Sequence, residues 1–189
     1  MPLPRFYRLP SERQHDIIEA AKTEFAQHGP ETASYNTIIA KAGISKSSAY
    51  QYFDGKDDIL GLVLSDVSDR LRRELGSWVP ADTADAFWQR LSDDSARLVR
   101  FLEDNPLDRA LADAAIARIP AGNEQSWLAA VIDNGIALGV IRADVDRELL
   151  SAASAAVLRV GDNWALAGGG HPFQIFSLLA GLWGPPHAQ

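Results

Sequence analysis

The sequence predicts an all-α protein of about nine helices. Three observations carry this: apolar residues recur at spacings of three and four throughout, no run alternates apolar and polar for long, and capping serines, glycines and prolines punctuate the periodic stretches. With 189 residues, 47% of them hydrophobic and 23% charged, the chain has enough apolar material for a proper core.

Taken in order, Ser11 with Glu12 opens a first helix whose Ile17, Ile18, Ala21 and Phe25 share one face, and "HGP" at His28 to Pro30 ends it. Ser34 caps a second helix running to about Ala42, where Gly43 breaks it. Ser45 caps a third, brief helix that ends near Phe53. "DGKDD" separates it from a long helix over about Lys56 to Leu75. Further helical units follow over about Thr83 to Asp104, Leu107 to Ile119, Glu124 to Leu138, Asp146 to Ala167 and Phe173 to Trp183. "NP" at Asn105, "PAG" at Pro120 and "GGGHP" at Gly168 are the punctuation.

Several function classes find no support. The N-terminal "MPLPRFYRLPSERQ" has no apolar stretch behind its arginines, and the longest apolar runs fall short of the about 18 residues a membrane span needs, so we expect neither a secretion signal nor a membrane anchor, and a cytoplasmic location. There is no cysteine, and His15, His28, His171 and His187 are scattered without metal-ligand spacing, so no metal site is expected. No nucleophile elbow or phosphate loop is present, and "GGGHP" lacks the preceding strand that would give it meaning. We therefore expect no enzyme, no catalytic residues and no cofactor.

The net charge of −7 argues at first against a polyanionic partner. Its distribution argues otherwise. Residues 1–53 carry six basic side chains (Arg5, Arg8, Arg13, Lys22, Lys41, Lys46) against five acidic, while the rest of the chain holds twelve against twenty. Any contact with nucleic acid belongs in the first third.

Two helices joined by a glycine turn, the second opened by a capping serine, make the helix-turn-helix pattern, whose second helix lies in the DNA major groove. The outer face of such a helix must be small or polar so that its backbone can approach the bases. In "GISKSSAYQYF" from Gly43 to Phe53, Ile44, Ala49 and Phe53 are expected to turn inward, and Lys46, Ser47, Tyr50 and Gln51 outward.

The segment "TIIAKAGISKSSAYQYFDGKDDIL" from Thr37 to Leu60 resembles the N-terminal motif of the TetR family of transcriptional regulators, and the match extends over about Ser11 to Leu60. A weaker echo, "ALGVIRADVDRELL" from Ala137 to Leu150, is similar to a junction often found before the penultimate helix of that family. The resemblance implies a three-helix DNA-binding head over residues 1–55 and a helical ligand-binding and dimerisation body over 56–189. It also implies that Ser34 and Asn36 meet the DNA backbone, that Lys46, Ser47, Ser48, Tyr50, Gln51 and Tyr52 face the groove, and that Lys56 binds a phosphate beside the amides of the fourth helix. Gln51 is the best candidate for reading a base, since its amide pairs with adenine in two places. Arg5 and Arg8 are expected to extend an arm into the minor groove.

Three positions depart from the family pattern. Ile39 stands where alanine is usual and Ala49 where a larger aliphatic is usual, and we expect the two exchanges to offset one another in volume. Ser47 stands where glycine is frequent, which touches only operator preference.

Effective discrimination needs two reading helices about one DNA turn apart, so a homodimer on a palindromic double-stranded operator is expected. The alanine- and serine-rich "LLSAASAAVLRVGDNWALA" and the apolar "FQIFSLLAGLWG", the last two helices, are similar to the family's interface, and Arg159 and Asp162 are spaced to bridge. In the helix from Thr83, Phe87, Leu91, Leu98 and Phe101 form one stripe into which Asp94 falls, and a carboxylate there needs a partner. Trp127, Val131 and Leu138 form another stripe, interrupted by Asn134. Apolar walls with few polar groups suit a small-molecule inducer, so Trp88, Asp94, Phe101, Trp127 and Asn134 are the pocket candidates, with plain core packing as the competing reading. The expected function is a homodimeric repressor released from DNA by a small, largely apolar ligand. The alternative is a helical ligand-binding or interaction protein of the same fold that binds DNA weakly, and steep salt dependence of DNA binding separates the two.

Overall fold

The computed structural model describes residues 1–118, 127–166 and 173–184, and every helix expected from the sequence has a counterpart in it. After a 3-10 turn at Phe6–Arg8 come α1 (Ser11–Thr32), α2 (Tyr35–Lys41), α3 (Lys46–Tyr52), α4 (Lys56–Leu75), α5 (Ala84–Asp104), α6 (Pro106–Ile116), α7 (Trp127–Ala137), α8 (Arg147–Leu166) and α9 (Phe173–Trp183). The break expected at "HGP" is present inside the span of α1, where Gly29 takes φ 74° and ψ 160° and a further turn closes through the Ala33 N–H donating to the Gly29 carbonyl at 3.0 Å. The turns expected at Pro120 and Gly168, the first residues of the helix expected from Glu124, and the Asp162 side chain lie outside the described residues. Among the described residues no helix is long and apolar enough to cross a membrane, and no cluster of histidine and carboxylate side chains suits a metal ion.

The chain forms two compact units. The first comprises Met1–Arg73 and Leu102–Ile119, so it contains the expected head of residues 1–55 and adds most of α4 and all of α6. Its α1 packs on α2 and α6, and α2 on α3. Ile17, Ala21 and Phe25 of α1 are buried as their shared face predicts, together with Ile38, Ala49, Phe53 and Ile59. Charges are buried here too. Lys22, only 1% exposed, meets Glu19 at 2.9 Å, Asp66 at 2.8 Å and Asp108 at 3.2 Å, and Arg70 meets Asp108 at 3.0 Å and Asn105 at 2.8 Å. One cluster thereby joins α1, α4 and the start of α6. Burial works against the Lys22 charge, but the hydrogen bonds to Asp66 and Glu19 and the charges of Asp66 and Asp108 outweigh it and hold its pKa above that of an ordinary lysine. That contribution to stability is complete below the unfolded lysine value of about 10.4 and is lost as pH rises through the higher folded value.

The second unit comprises Glu74–Phe101 and Pro120–Gln189, with α7 packed on α8 and α8 on α9. Its core gathers Trp78, Phe87, Leu91, Val131, Ile132 and Trp183. Gly161 of α8 lets α9 close in, because a Cβ there would lie 2.7 Å from the Cγ1 of Ile175. Asn134 ties the stretch before α5 to α7: its Oδ1 accepts from Trp78 Nε1 at 3.0 Å and from the Ala81 N–H at 2.8 Å, while its Nδ2 donates to the Ala81 carbonyl at 3.0 Å.

Candidate nucleic-acid interface

The helix-turn-helix is built as its residues dictate. Ser34 Oγ accepts from the Thr37 N–H at 3.3 Å and caps α2, and Ser45 Oγ accepts from the Ser48 N–H at 3.1 Å and caps α3. Between them Gly43 adopts φ +59°, a left-handed conformation that costs a residue bearing a Cβ about 1–2 kcal/mol. The inward set is as expected, with Ala49 and Phe53 fully buried and Ile44 partly so.

Lys46, Ser47, Tyr50 and Gln51 are all exposed on the outer side of α3, and Asn36 is exposed at the start of α2. The remaining candidates are engaged within the head. Ser48 is half-buried, its Oγ 2.8 Å from Ser45 Oγ, so it belongs to the cap. Ser34 is half-buried and uses an oxygen lone pair as a cap, which leaves its O–H proton for a further acceptor. Tyr52 is half-buried edge-on to Phe53, with ring centroids 6.3 Å apart. Lys56 is half-buried and donates from Nζ to the Glu31 carbonyl at 2.8 Å, a bond that occupies one of its three protons. Tyr50 is both exposed and packed, its ring 6.0 Å from that of Tyr35. The Tyr35 hydroxyl is buried without a hydrogen-bond partner among the described residues, and burial, with Tyr50 and Asp58 nearby, holds its pKa above that of an ordinary tyrosine.

The arm expected at Arg5 and Arg8 is folded back. The Leu3 N–H donates to the Tyr52 carbonyl at 2.8 Å, and Phe6, 1% exposed, lies with its ring 5.1 Å from that of Phe53. An unsatisfied carbonyl at the end of α3 and an apolar side chain three residues after Leu3 outweigh the freedom of an extended segment. Arg5 and Arg8 are exposed on this anchored segment.

Two charged residues that the sequence reading passed over organise the motif from α1. Arg13 Nη2 donates to the Gly43 carbonyl at 2.7 Å. Glu24, 3% exposed, accepts from the Ser34 N–H at 3.2 Å and from Lys41 Nζ at 3.0 Å. The hydrogen bond to Lys41, then that to Ser34, hold the Glu24 carboxyl below the usual range. A weaker signal than the one at Asp94 was available: Lys22 and Glu24 border the stripe set by Ile17, Ile18, Ala21 and Phe25 on either side. Of the six basic residues in the first 53, Lys22, Lys41 and Arg13 thus hold the head together, although the Lys41 side chain stays 42% exposed, and Lys46, Arg5 and Arg8 are exposed as well.

The pocket candidates lie in the second unit. Asp94 Oδ2 accepts from Trp127 Nε1 at 2.9 Å and its Oδ1 from Arg97 at 2.7 Å, Trp88 lies 5.8 Å from Trp183 between ring centroids, and Phe101 is half-buried. Asp94 therefore has the partner its place on an apolar stripe demands, and Asn134 is held on both its oxygen and its nitrogen by Trp78 and Ala81.

Residues 17–63 match the family model described as bacterial regulatory proteins, tetR family. The chain is 41% identical over 68 residues to the HTH-type transcriptional regulator HbdR of Aromatoleum sp. (strain CIB), a stretch that is 36% of this chain and 30% of that protein. It is 32% identical over 78 residues to the HTH-type transcriptional repressor Rv3405c of Mycobacterium tuberculosis (strain ATCC 25618 / H37Rv), covering 40% of this chain and 42% of the relative. The chain thus spans less than half the length of either. Its fold is similar to that of a tetR family transcription regulator from Shewanella sp. PV-4 (TM-score 0.68, 17% identity, 90% of this chain and 97% of the other). A TetR family transcriptional regulator from Chloroflexus aurantiacus J-10-FL is also similar (TM-score 0.57, 25% identity, 94% and 87%). The serine-capped α3 thus lies within the segment that matches this family's model, and the fold is similar along most of its length to solved structures of TetR family regulators.

Proposed function

We propose that the protein is a sequence-specific DNA-binding transcription regulator, a homodimer that represses from a palindromic operator and is released by a small, largely apolar ligand. The observation that carries the DNA-binding reading is the face of α3, where Lys46, Ser47, Tyr50 and Gln51 are exposed side by side on a helix capped by Ser45. Gln51 reads a base edge, Lys46 and Ser47 meet the backbone, and Asn36, Ser34 and Lys56 add backbone contacts at either side. Ser48 and Tyr52 support this face from within the head.

Dimerisation is supported by an apolar stripe on α8. Leu149 is 63% exposed, Val160 65% and Trp164 38%, and their spacings of eleven and four put them on one side of the helix; Leu178 of α9 is likewise exposed at 65%. For the ligand, Trp88, Asp94, Phe101, Trp127 and Asn134 remain the proposed surroundings. A ligand binding there has to part Trp127 from Asp94, or Trp78 from Asn134, and that change of partner is what distinguishes a bound conformation.

Selection of genomic fragments by the purified protein, followed by titration of the enriched site between 50 and 200 mM salt, on the order of the range over which phosphate contacts are lost, tests the central reading. A dimer is expected to bind with steeply salt-dependent affinity. Binding that is absent or insensitive to salt favours the alternative, a ligand-binding or interaction protein of the same fold.

A further inference from the structure

Helix α1 holds the reading motif at three points. Arg13 bonds the carbonyl of Gly43, the residue whose positive φ redirects the chain into α3. Glu24 bonds the N–H of Ser34, which precedes α2, and the ammonium of Lys41, which ends it. Arg13 and Glu24 stand eleven residues apart, about three helical turns, so both leave α1 from the same side roughly 16 Å from one another. The helices they hold, α2 and α3, have seven residues each, too few to persist on propensity alone. The buried Ala49 and Phe53 fix how deeply α3 sits, but apolar contacts are not directional. Charge-assisted hydrogen bonds are directional, and these two fix the angle at which the turn delivers α3.

We infer that Arg13 and Glu24 are positioning residues for DNA reading: they set the orientation of α3, and with it operator affinity and discrimination, without touching DNA. This rests on the DNA-binding function proposed above. Arg13 keeps 37% of its side chain exposed and has Asp16 at 3.5 Å, so the rival role for it is a direct phosphate contact.

The experiment compares full-length wild type with Arg13→Ala, Arg13→Lys and Glu24→Gln. Each is titrated with the selected operator and with a half-site variant over a range of salt, and amide exchange is followed at Ala49 and Phe53, whose N–H groups close the turns of α3 onto Ser45 and Ala49. The expected result for Arg13→Ala and Glu24→Gln is about a tenfold loss of operator affinity, since a hydrogen bond to a charged group is removed, with smaller discrimination between the two sites. Exchange at Ala49 and Phe53 is expected to accelerate while that of Val63 in α4 holds. Arg13→Lys, which keeps a single donor, is expected to restore part of both. The salt slope stays at the wild-type value, because no phosphate contact is lost. A slope lowered by about 0.9 in Arg13→Ala makes Arg13 a phosphate ligand and overturns the inference, as does unchanged affinity and exchange. Wild type that binds no DNA refutes the function proposed above, and the exchange data then decide alone: unaltered exchange at Ala49 and Phe53 sinks the positioning role.

Discussion

The first unit is tied by charge, the second by indole rings. In the first, Lys22, Arg70, Glu19, Asp66 and Asp108 join three helices, and Arg13 and Glu24 hold the motif. All five tryptophans (Trp78, Trp88, Trp127, Trp164 and Trp183) fall in the second, where three of them donate their ring N–H to Asn134, Asp94 and Ser154. The difference separates two demands. A head that must present one polar face at a set angle uses directional bonds, and a body that must bury apolar surface uses large rings and gives three of them a polar anchor. It also supplies a tool, because tryptophan fluorescence reports on the second unit only, while helical ellipticity reports on both.

The largest expected effect breaks the charged tie. Lys22→Met leaves the buried Asp108 beside the partly exposed Asp66 and Glu19, with Arg70 remaining against Asp108; removing one partner of a buried charge costs at most about 3–5 kcal/mol, less where water reaches the carboxylates. Thermal unfolding followed by ellipticity is expected to begin at a lower temperature than in the wild type, while the midpoint of the change in tryptophan fluorescence, which reports on the second unit, moves less. Coincident curves with an unchanged midpoint would show that the cluster contributes nothing to the first unit. Next in size is Ile39→Ala. Ile39 is 5% exposed and Ala49 fully buried, so both exchanged positions lie in the core of the first unit, where a change of volume is felt. The truncation is expected to cost about 2–5 kcal/mol, read as a lower melting temperature in the ellipticity trace. An unchanged or raised midpoint refutes the compensation in volume.

The two units were also unequally legible. Helix boundaries could be read almost throughout, because Ser34, Gly43 and Ser45 act within a few residues of themselves, and α9 runs from Phe173 to Trp183 as its apolar run predicts. The inward and outward sets of α3 could be read for the same reason. Long-range bonds escaped. Nothing local says that Arg13 reaches a carbonyl thirty residues on, or that Lys56 is turned to Glu31, because those partners meet only when helices pack. The arm at Arg5 and Arg8 was misread because its composition looks like a free basic tail, whereas Phe6 finds a buried place beside Phe53. In the first unit α6 meets α1 and α4 through Asp108, which pairs with Lys22 and Arg70, a pairing invisible to spacing.

In the second unit the corresponding break is Asn134→Ala. It strips the acceptor from Trp78 Nε1 and from the Ala81 N–H and the donor from the Ala81 carbonyl, and groups left unpaired in this way cost about 1–3 kcal/mol each when water does not reach them. Tryptophan fluorescence is expected to melt first here, the reverse of the Lys22 variant. This variant also tests the pocket: a residue kept for a ligand and not for the fold would lose ligand affinity while leaving the melting curve in place.

The smallest effect lies in the acid limb of the first unit. Glu24 faces Lys41 at 3.0 Å, the Ser34 N–H at 3.2 Å and His28 Nε2 at 3.9 Å, and the first two hold its pKa below that of the unfolded chain. A carboxyl with a depressed folded pKa stabilises the native state above its unfolded value, about 4.3 for glutamate, and that contribution fades as pH falls through the lower folded value. Glu24→Gln is therefore expected to lower stability at neutral pH and to flatten its decline below about pH 4.3. Because the tie lies wholly in the first unit, the change belongs in ellipticity and in exchange at Ala49, with fluorescence unmoved. An acid limb identical in the two proteins would mean that Lys41 and Ser34 hold α2 equally well without the charge, and that the angle of the reading helix depends on Arg13 alone.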